Sequence, residues 1–210
     1  MYLSRVEIDM TNRIALRTLN HLGAYHNWVE QAFPDEVRAE TRSRKLWRID
    51  RIEGKRYLLV VSETEPNCEQ MEVYAVKGSF ACKDYEPFLK SIKRGDSFLF
   101  RVILNPVHSV VEEGRSRGKV YPLYSEEEQR RFFLDRSVKH GFHVDADQFL
   151  IKEKGEEILR KKGKKKIDLV KAVYEGRLIV EDADLFVELL CHGMGREKAY
   201  GFGMMTVIRG

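Results

Sequence analysis

Residues 190–209 of this chain read LCHGMGREKAYGFGMMTVIR. Two Gly-x-Gly pairs, with two cations between them, precede an apolar run typical of a strand. The glycines and cations of this loop are Gly193, Gly195, Arg196, Lys198, Gly201 and Gly203. Glycine tolerates positive φ and lets a backbone approach a ligand closely, so such a loop can offer amide N–H groups to a phosphate. The spacing is neither a Walker loop nor a dinucleotide-binding fingerprint. The glycines therefore indicate either a phosphate-binding loop or a tight structural connection.

The length and composition are those of a globular protein. The 210 residues allow one large domain or two of about 100 residues each, and an apolar content of 43% argues against disorder. No apolar run reaches the roughly 20 residues needed to cross a bilayer, and residues 1–8 alternate like a strand rather than a signal peptide. Cys68, Cys82 and Cys191 are far apart, which argues for a reducing cytoplasm and against a zinc site. We therefore expect a cytoplasmic protein without a membrane segment or a bound metal.

The positive charge is concentrated in one segment. The chain has a formal net charge of +4, whereas residues 152–166 hold eight basic and three acidic residues, a net +5. A basic patch on a nearly neutral body is what binding to a polyanion requires. The alternative is a solvated lysine loop without a partner.

The hydrophobic pattern of the first half predicts the order β-α-β-β-α-β. Its predicted elements are a strand over residues 1–8, a helix from residue 13, a second helical piece over 24–33, strands over 45–52, 57–61 and 73–83, a degenerate helix after residue 66, and a helical turn over 85–94. Asn20 and Gly23 disfavour a helix interior and so predict the break between the helical pieces. Pro34 is expected to end the second piece.

The pattern then starts again in the second half. Its predicted elements are a strand over residues 97–104, a helix over 125–140, a strand over 142–151, the basic segment as a hairpin loop, a strand over 167–180, a helix over 182–191 and a strand over 204–208. Ser125 and Glu128 have the spacing of a capping box at the start of the first helix. The chain is therefore predicted to be an α+β protein of two tandem ferredoxin-like (RRM-like) βαββαβ domains, residues 1–94 and 95–210.

Four groups of short motifs follow one another along nearly the whole chain. They are MYLSR at residues 1–5, Leu16-x-x-Leu19 followed by His26 and Phe33-Pro34, FRVILNPV at 100–107 with GKVYPL at 118–123, and YEGRL at 174–178 with GMGREKAYGFG at 193–203. In these motifs the sequence resembles the CasE family, the CRISPR repeat-processing endoribonucleases of type I-E Cascade systems. The last motif is the most specific, and the others are modest alone.

The resemblance implies a reaction and a set of partners. Such an enzyme cuts a CRISPR repeat transcript at the base of a hairpin, without a metal or a cofactor, and then keeps the product. The implied partners are the repeat stem-loop RNA, the CRISPR RNA and the other Cascade proteins, and we expect a monomer when the chain is isolated. Two other functions stay open. One is a non-catalytic RNA-binding subunit on the same scaffold, and the other is a nucleotide-binding enzyme that uses the glycine loop, although no carboxylate pair for Mg²⁺ accompanies it.

The resemblance implies that His26 is the catalytic residue. Histidine suits attack by a 2′-hydroxyl because its pKa of about 6.5 allows it to take or give a proton near neutral pH. His26 is also predicted in the first turn of the second helical piece, where a helix N-terminus attracts phosphate and lowers the pKa of an imidazole. Whether His26 acts as the base or as the acid stays open. The alternative is a buried core histidine, because position 26 continues the apolar stripe of the helix.

Two further roles at the site follow from the resemblance. The family often has a tyrosine three residues before its histidine, where this chain has Gly23. Tyr25 is the candidate for that role, although adjacent helical residues point about 100° apart. Arg196 or Lys198 is the candidate cation that would stabilise the phosphorane.

The basic segment is the predicted RNA-binding element. In the family, a hairpin of the second ferredoxin-like half enters the major groove of the repeat stem. Arg160 is the candidate to read a guanine by a forked contact. The candidates for phosphate contacts are Lys161, Lys162, Lys164 and Lys165. A second basic set is predicted in the polar loop over residues 112–119, namely Arg115, Arg117 and Lys119.

Overall fold

The first half of the chain forms four strands and five helices. The computed structural model describes residues 1–111, 118–160 and 166–210. The strands of this half are β1 (Tyr2–Glu7), β2 (Lys45–Ile52), β3 (Lys55–Ser62) and β4 (Ala81–Asp84). The helices are α1 (Arg13–Thr18), α2 (Leu22–Gln31), α3 (Pro34–Arg38), α4 (Cys68–Met71) and α5 (Glu86–Lys90). The strands pair antiparallel in the order β2-β3-β1-β4, which is the order of a ferredoxin-like unit.

The second half repeats this arrangement with one inserted hairpin. Its strands are β5 (Ser97–Leu104), β6 (Val107–Val110), β7 (Lys119–Pro122), β8 (Phe142–His143), β9 (Phe149–Leu159), β10 (Ile167–Val180) and β11 (Met205–Arg209). Its helices are α6 (Glu126–Lys139) and α7 (Ala183–His192). The sheet has the order β11-β5-β10-β8. Strand β9 also pairs with β10, along residues 167–176, whereas β8 pairs with residues 179–180. The predicted α+β class with two ferredoxin-like units is therefore confirmed, and the hairpin of β6 and β7 is an addition that the pattern did not predict.

Side-chain caps start the helices close to the predicted positions. The Asn12 carboxamide accepts hydrogen bonds from the Ile14 and Ala15 N–H groups at 3.0 and 3.1 Å, at the start of α1. The capping box before α6 is present, with the Ser125 hydroxyl accepting from the Glu128 N–H at 3.2 Å. These bonds satisfy N–H groups that have no partner within the first turn of a helix. No described helix is both long and apolar enough to span a membrane.

Three predicted elements differ from the structure in extent. The strand predicted over residues 73–83 is reduced to β4, because Gly78 turns the chain with a φ of 75° and the Glu72 carboxylate accepts from the Phe80 N–H at 3.1 Å. The strand predicted over residues 142–151 is split into β8 and the start of β9 by a turn in which the Gln148 N–H donates to the Asp145 carbonyl. Residues 152–159 were expected in a hairpin loop and belong instead to β9, since they continue to pair with β10.

The start of α2 also differs from the prediction. His21 has an extended backbone and acts as the cap, and the Ala24 N–H donates to its carbonyl at 3.0 Å. The helix therefore begins at Leu22 rather than at residue 24, and His26 lies in the second turn rather than the first. The helix-terminus argument for its pKa is correspondingly weaker, because that effect falls off within one turn. Pro34 does follow the end of α2, and it opens α3 as the first helical residue, a position that needs no N–H.

The two sheets share their hydrophobic cores. Leu46 and Val61 of the first sheet pack in one core with Phe98 of the second sheet. Trp47 on the other face of β2 packs in a second core with Val173 of β10. The domain boundary predicted between residues 94 and 95 stays a prediction, and both cores include residues from each side of it.

A buried arginine joins the two sheets. The Arg48 side chain on β2 is 1% exposed and forms a two-bonded ion pair with Asp50, with N···O distances of 3.0 and 2.5 Å. Its Nη1 atom donates to the carbonyls of Arg101 and Met204 at 2.7 and 2.9 Å, and its Nη2 atom donates to the Thr206 hydroxyl at 2.7 Å. All five guanidinium donors thus point at acceptors, as a buried cation requires. Because the Arg101, Met204 and Thr206 acceptors lie on or next to β5 and β11, Arg48 fixes β2 against the edge of the second sheet.

Candidate active site

One face of α2 is left uncovered by the core and lines a cavity. Gly23, His26, Asn27 and Glu30 follow one another at steps of three, one and three residues, so they share a helix face. This face, together with α3 and the residues up to Arg42, lines a cavity of about 450 Å³, which we name the histidine cavity. The opposite face of α2 packs into the second core.

His26 lies at the wall of this cavity and is not a core residue. Its side chain is 25% exposed. The Tyr200 ring meets it edge-on, with centroids 5.3 Å apart and planes at 64°, and the His26 ring also hydrogen-bonds the backbone of Ala199. The Nδ1 atom lies 3.9 Å from Oε1 of Glu30. A partly exposed imidazole held on two sides can reach a bound phosphate, so the core-histidine alternative is wrong.

The surroundings lower the pKa of His26. Burial is the main cause, because it disfavours the charged imidazolium. The cations Arg42 and Lys45 act in the same direction, while Glu30 and the backbone of Ala199 oppose them. A pKa below the ordinary value keeps the imidazole neutral at pH 7, and a neutral imidazole can accept a proton.

The contact between His26 and Tyr200 depends on a tight loop. A 3₁₀ turn over Lys198–Tyr200 lies between Glu197, with φ of 58°, and Gly201, with φ of 84°. The Trp47 indole N–H donates to the Ala199 carbonyl at 2.9 Å. A Cβ atom on Gly201 would lie 2.7 Å from the Trp47 ring. The glycine therefore lets the loop rest on β2 and presents Tyr200 to His26, a contact that sequence reasoning missed because the two residues lie at opposite ends of the chain.

Tyr25 is not brought into the histidine cavity. Its side chain is buried and stacks on Trp47, with ring centroids 5.9 Å apart. Its hydroxyl accepts a hydrogen bond from Nη2 of Arg56 at 3.4 Å, and burial raises the pKa of the phenol. The geometry therefore does not support the catalytic role predicted for Tyr25, because adjacent residues of α2 face different sides of the helix.

The glycine-rich loop is mainly a structural connection. Its glycines have positive φ values of 70°, 76°, 84° and 87° at positions 193, 195, 201 and 203. The Gly193 N–H donates to the Leu189 carbonyl and the Gly203 N–H to the Ile103 carbonyl, both at 2.7 Å. These two amides are already bonded within the protein, so the geometry does not support their predicted contact with phosphate. The RNA contacts predicted for Gly195 and Gly201 stay predictions.

The cations of this loop do not line the histidine cavity. Lys198 Nζ donates to the Gly193 carbonyl at 3.4 Å, and burial, followed by the charge of Arg44, lowers its pKa. Arg196 is exposed and lines a different cavity, beside β6 and α6. Because neither residue lines the histidine cavity, the geometry does not support this placement of the phosphorane cation, and the RNA contacts of both residues stay predictions.

Two cations from the segment before and into β2 face His26 instead. Lys45 is 2% exposed and its Nζ atom lies 2.5 Å from Glu36, so its charge is already paired. Arg42 is 77% exposed, lines the histidine cavity and has its Nε atom 3.9 Å from Oε2 of Glu30. Arg42 is the cation that remains able to meet an RNA phosphate here. Its sequence context, a short polar stretch, carries no motif that could have identified it.

Arg160, the residue after β9, lies beside the start of α2. Arg160 follows β9 and is exposed, and its carbonyl would lie 2.8 Å from a Cβ atom on Gly23. His21, at the start of α2, has a pKa lowered by burial and then by the charge of Arg160. The predicted RNA-reading arginine and the predicted catalytic histidine are therefore brought to the same helix end.

The remaining predicted RNA contacts are only partly described. Lys119 is exposed on β7, with its Nζ atom 5.0 Å from the centre of the Tyr121 ring. The other predicted residues lie outside the described ranges, namely Arg115, Arg117, Lys161, Lys162, Lys164 and Lys165. Their roles stay predictions.

Known proteins resemble the chain over its full length. Residues 1–209 match a family model described as CRISPR associated protein. The CRISPR-associated endoribonuclease Cse3 of Thermus thermophilus is 25% identical over 225 residues, covering 99% of each chain. A structure of CRISPR endoribonuclease Cse3 bound to a 19-nucleotide RNA has a TM-score of 0.83 at 25% identity, over 99% of this chain and 100% of that one. One chain of a CRISPR RNA-guided surveillance complex has a TM-score of 0.68 at 18% identity, over 100% of both.

Proposed function

Since the chain belongs to the CRISPR-associated protein family, we propose that it is a metal-independent endoribonuclease that cuts the repeat hairpins of precursor CRISPR RNA. The observation that carries this function is the arrangement of His26. It is a partly exposed imidazole with a lowered pKa, in one cavity with the exposed cation Arg42 and on the helix whose first turn lies against Arg160. The likeness to RNA-bound Cse3 over the whole chain supports the same reaction here.

The partners follow from the same relationship. The protein binds the repeat stem-loop, keeps the cut CRISPR RNA and assembles with the other Cascade proteins, as its likeness to a chain of a surveillance complex supports. We place it in the cytoplasm, because Cys68, Cys82 and Cys191 are all free thiols, as a reducing compartment favours.

The reaction begins with attack of a ribose 2′-hydroxyl on the adjoining phosphorus. Neutral His26 accepts the 2′-hydroxyl proton, because its lowered pKa favours the base over the acid role. Arg42 stabilises the charge that develops on the phosphoryl oxygens, as a preorganised cation does in a partly closed site. The bond between phosphorus and the 5′-oxygen breaks, and the departing oxygen takes up a proton from solvent. The products carry a 2′,3′-cyclic phosphate and a 5′-hydroxyl.

Incubation of the protein with its repeat RNA in EDTA tests this function. We expect cleavage at a single position to persist in EDTA, and a 2′-deoxy nucleotide on the 5′ side of the cut to abolish it. Cleavage that requires a divalent cation, or that survives the 2′-deoxy substitution, would contradict the mechanism. Tight binding of the repeat without any cleavage would support the non-catalytic RNA-binding subunit instead.

The pH profile separates the two roles of His26. If His26 is the base, kcat/KM rises with pH while His26 loses its proton and then levels off, and the lowered pKa places the midpoint of the rise below the usual histidine value of about 6.5. We measure kcat/KM because it reports the free enzyme, in which the RNA phosphates do not act on the imidazole. A rate that falls as the pH rises through this range would assign the acid role.

Replacement of Tyr200 by leucine is expected to slow cleavage by about 10- to 100-fold, with little change in RNA affinity. Tyr200 acts here as a positioning residue: its ring holds the edge of His26, and a misplacement of about 1 Å can cost about 100-fold in rate. Tyr200→Phe keeps the ring and is the matched control. We expect it to restore most of the single-turnover rate. An equal loss in both variants would instead implicate the hydroxyl group.

A further inference from the structure

A second cavity, larger than the histidine cavity, lies between the two sheets. Its volume is about 630 Å³, within the range of about 300–1,000 Å³ found for small-molecule sites. Residues of the connection between α1 and α2, of α2, of β2 and of β3 form one side, and residues of β5, β9 and β10 form the other. We name it the inter-sheet cavity. Tyr200 lines it and also touches the His26 ring, so one aromatic side chain separates this cavity from the catalytic histidine.

The walls of the inter-sheet cavity offer both hydrogen-bond donors and acceptors. Arg51 and Arg56 supply guanidinium donors from the first sheet. Glu156 and Glu157 supply carboxylate acceptors from β9, although Glu157 also accepts from Lys171 at 3.2 Å. A nucleobase edge carries donors and acceptors together, and proteins bind unstacked RNA bases through such edges and through aromatic or guanidinium planes.

The chemistry at His26 requires a nucleotide to leave the helical stack. The attacking 2′-oxygen must stand in line with the departing 5′-oxygen, whereas a regular A-form strand holds it to one side. One nucleotide at the scissile phosphate must therefore rotate, and the energetic cost is lowest for a base that is already unpaired. Because the cut lies at the base of a hairpin, the nucleotide just outside the stem is already unpaired.

We infer that the inter-sheet cavity binds the nucleoside of the unpaired nucleotide that adjoins the scissile phosphate outside the stem. This inference rests on the proposed function and adds the part of the RNA that is recognised beyond the hairpin. Tyr200 then touches both His26 and the bound nucleoside, so filling the cavity helps to set the in-line geometry. The carboxylates of β9 and the arginines of the first sheet face the base and its ribose.

An abasic ribonucleotide at this position tests the inference on the wild-type protein. It retains the ribose and the 2′-hydroxyl, so only the base is lost. We expect the single-turnover cleavage rate to fall by about tenfold or more, the scale of losing one bound base. The same substitution one nucleotide further from the stem is the control and should change the rate little. 2-Aminopurine at the first position should brighten on binding, as an unstacked base does.

A cavity-filling variant provides the matching test on the protein. Ile49 on β2 lines the inter-sheet cavity, whereas Ile52 on the same strand is 40% exposed and lies outside it. Ile49→Trp should slow cleavage of the intact repeat by about tenfold, and the abasic repeat should then show no further loss, because both changes remove the same interaction. In the Ile52→Trp variant, the abasic substitution should still slow cleavage as it does in the wild-type protein. Circular dichroism and thermal melting establish that each variant is folded, and the abasic series decides alone if Ile49→Trp is not.

The outcomes separate this inference from the proposed function. Normal cleavage of the abasic repeat by the wild-type protein overturns the inference and leaves the endoribonuclease function in place. Equal losses at both RNA positions also overturn it, because the effect is then not specific to the nucleotide at the cut. The absence of any cleavage of the repeat overturns both.

Discussion

We expect His26→Ala to lower the rate of repeat cleavage by about two to four decades, the usual contribution of one general acid or base, and to leave RNA affinity nearly unchanged. The reason lies in the geometry of the site. The imidazole is exposed enough to reach a phosphate and is held by Tyr200 and the backbone of Ala199, whereas the expected phosphate contacts of the basic hairpin lie on other residues. Single-turnover cleavage and equilibrium binding of the same repeat RNA measure the two effects separately.

A second histidine is the matched control for this experiment. His143 on β8 is 52% exposed in its side chain and lies 2.9 Å from Asp145, outside the histidine cavity. The His143→Ala variant should cleave the repeat RNA at the wild-type rate. Cleavage that persists unchanged in His26→Ala would contradict the catalytic assignment. A parallel loss of affinity would mean that His26 serves binding rather than the chemical step.

We expect the replacement of four lysines of the basic segment by alanine to weaken binding to every repeat stem and to flatten the dependence of binding on salt. The four residues are Lys161, Lys162, Lys164 and Lys165. Each cation that contacts an RNA phosphate releases condensed counterions, worth about 0.7 to 0.9 in the slope of log affinity against log salt concentration. Four contacts therefore correspond to a change in slope of about three. Titrations at several salt concentrations, with stems of different sequence, measure this change.

The other predicted basic set is the control for the lysine variant. Its members are Arg115, Arg117 and Lys119. Replacing them by alanine should cost less affinity, because the charge of the chain is concentrated in residues 152–166, with a net +5. Equal losses from both sets would refute this ranking. An unchanged slope in the four-lysine variant would mean that the lysines form only a solvated loop.

Several features of the fold follow directly from the sequence, because their causes are local. The Asn12 cap and the capping box of Ser125 and Glu128 join residues only two or three positions apart, so their contribution to the start of a helix depends on the local sequence alone. Alternating apolar residues likewise predict β2, β5 and β10 closely. The errors arose where a strand pattern was interrupted by a turn, as at Gly78, or where pairing with the next strand extended a strand beyond its apolar pattern, as in the first part of the basic segment.

The neighbours of His26 could not be predicted in this way. The resemblance to a family singled out the histidine, but its environment depends on Tyr200, Ala199 and Arg42, which only the tertiary structure brings to α2. The same is true of Tyr25, which is adjacent to His26 in sequence and yet buried against Trp47. Adjacent residues on a helix face directions about 100° apart, so sequence proximity does not imply a shared site.

The sequence by itself determined the two ferredoxin-like units and the concentration of positive charge in one segment, because these depend on residue type and short-range spacing. It determined the catalytic candidate only through the resemblance to a family. The tertiary structure alone decided that the Gly193 and Gly203 amides are bonded within the protein, that Arg42 rather than Lys198 or Arg196 lines the histidine cavity, and that Tyr200 both touches the His26 ring and lines the inter-sheet cavity. The physical reason is that each of these contacts joins two parts of the chain that are far apart in sequence. The packing of the two sheets, through Arg48 and the shared hydrophobic cores, brings those parts together.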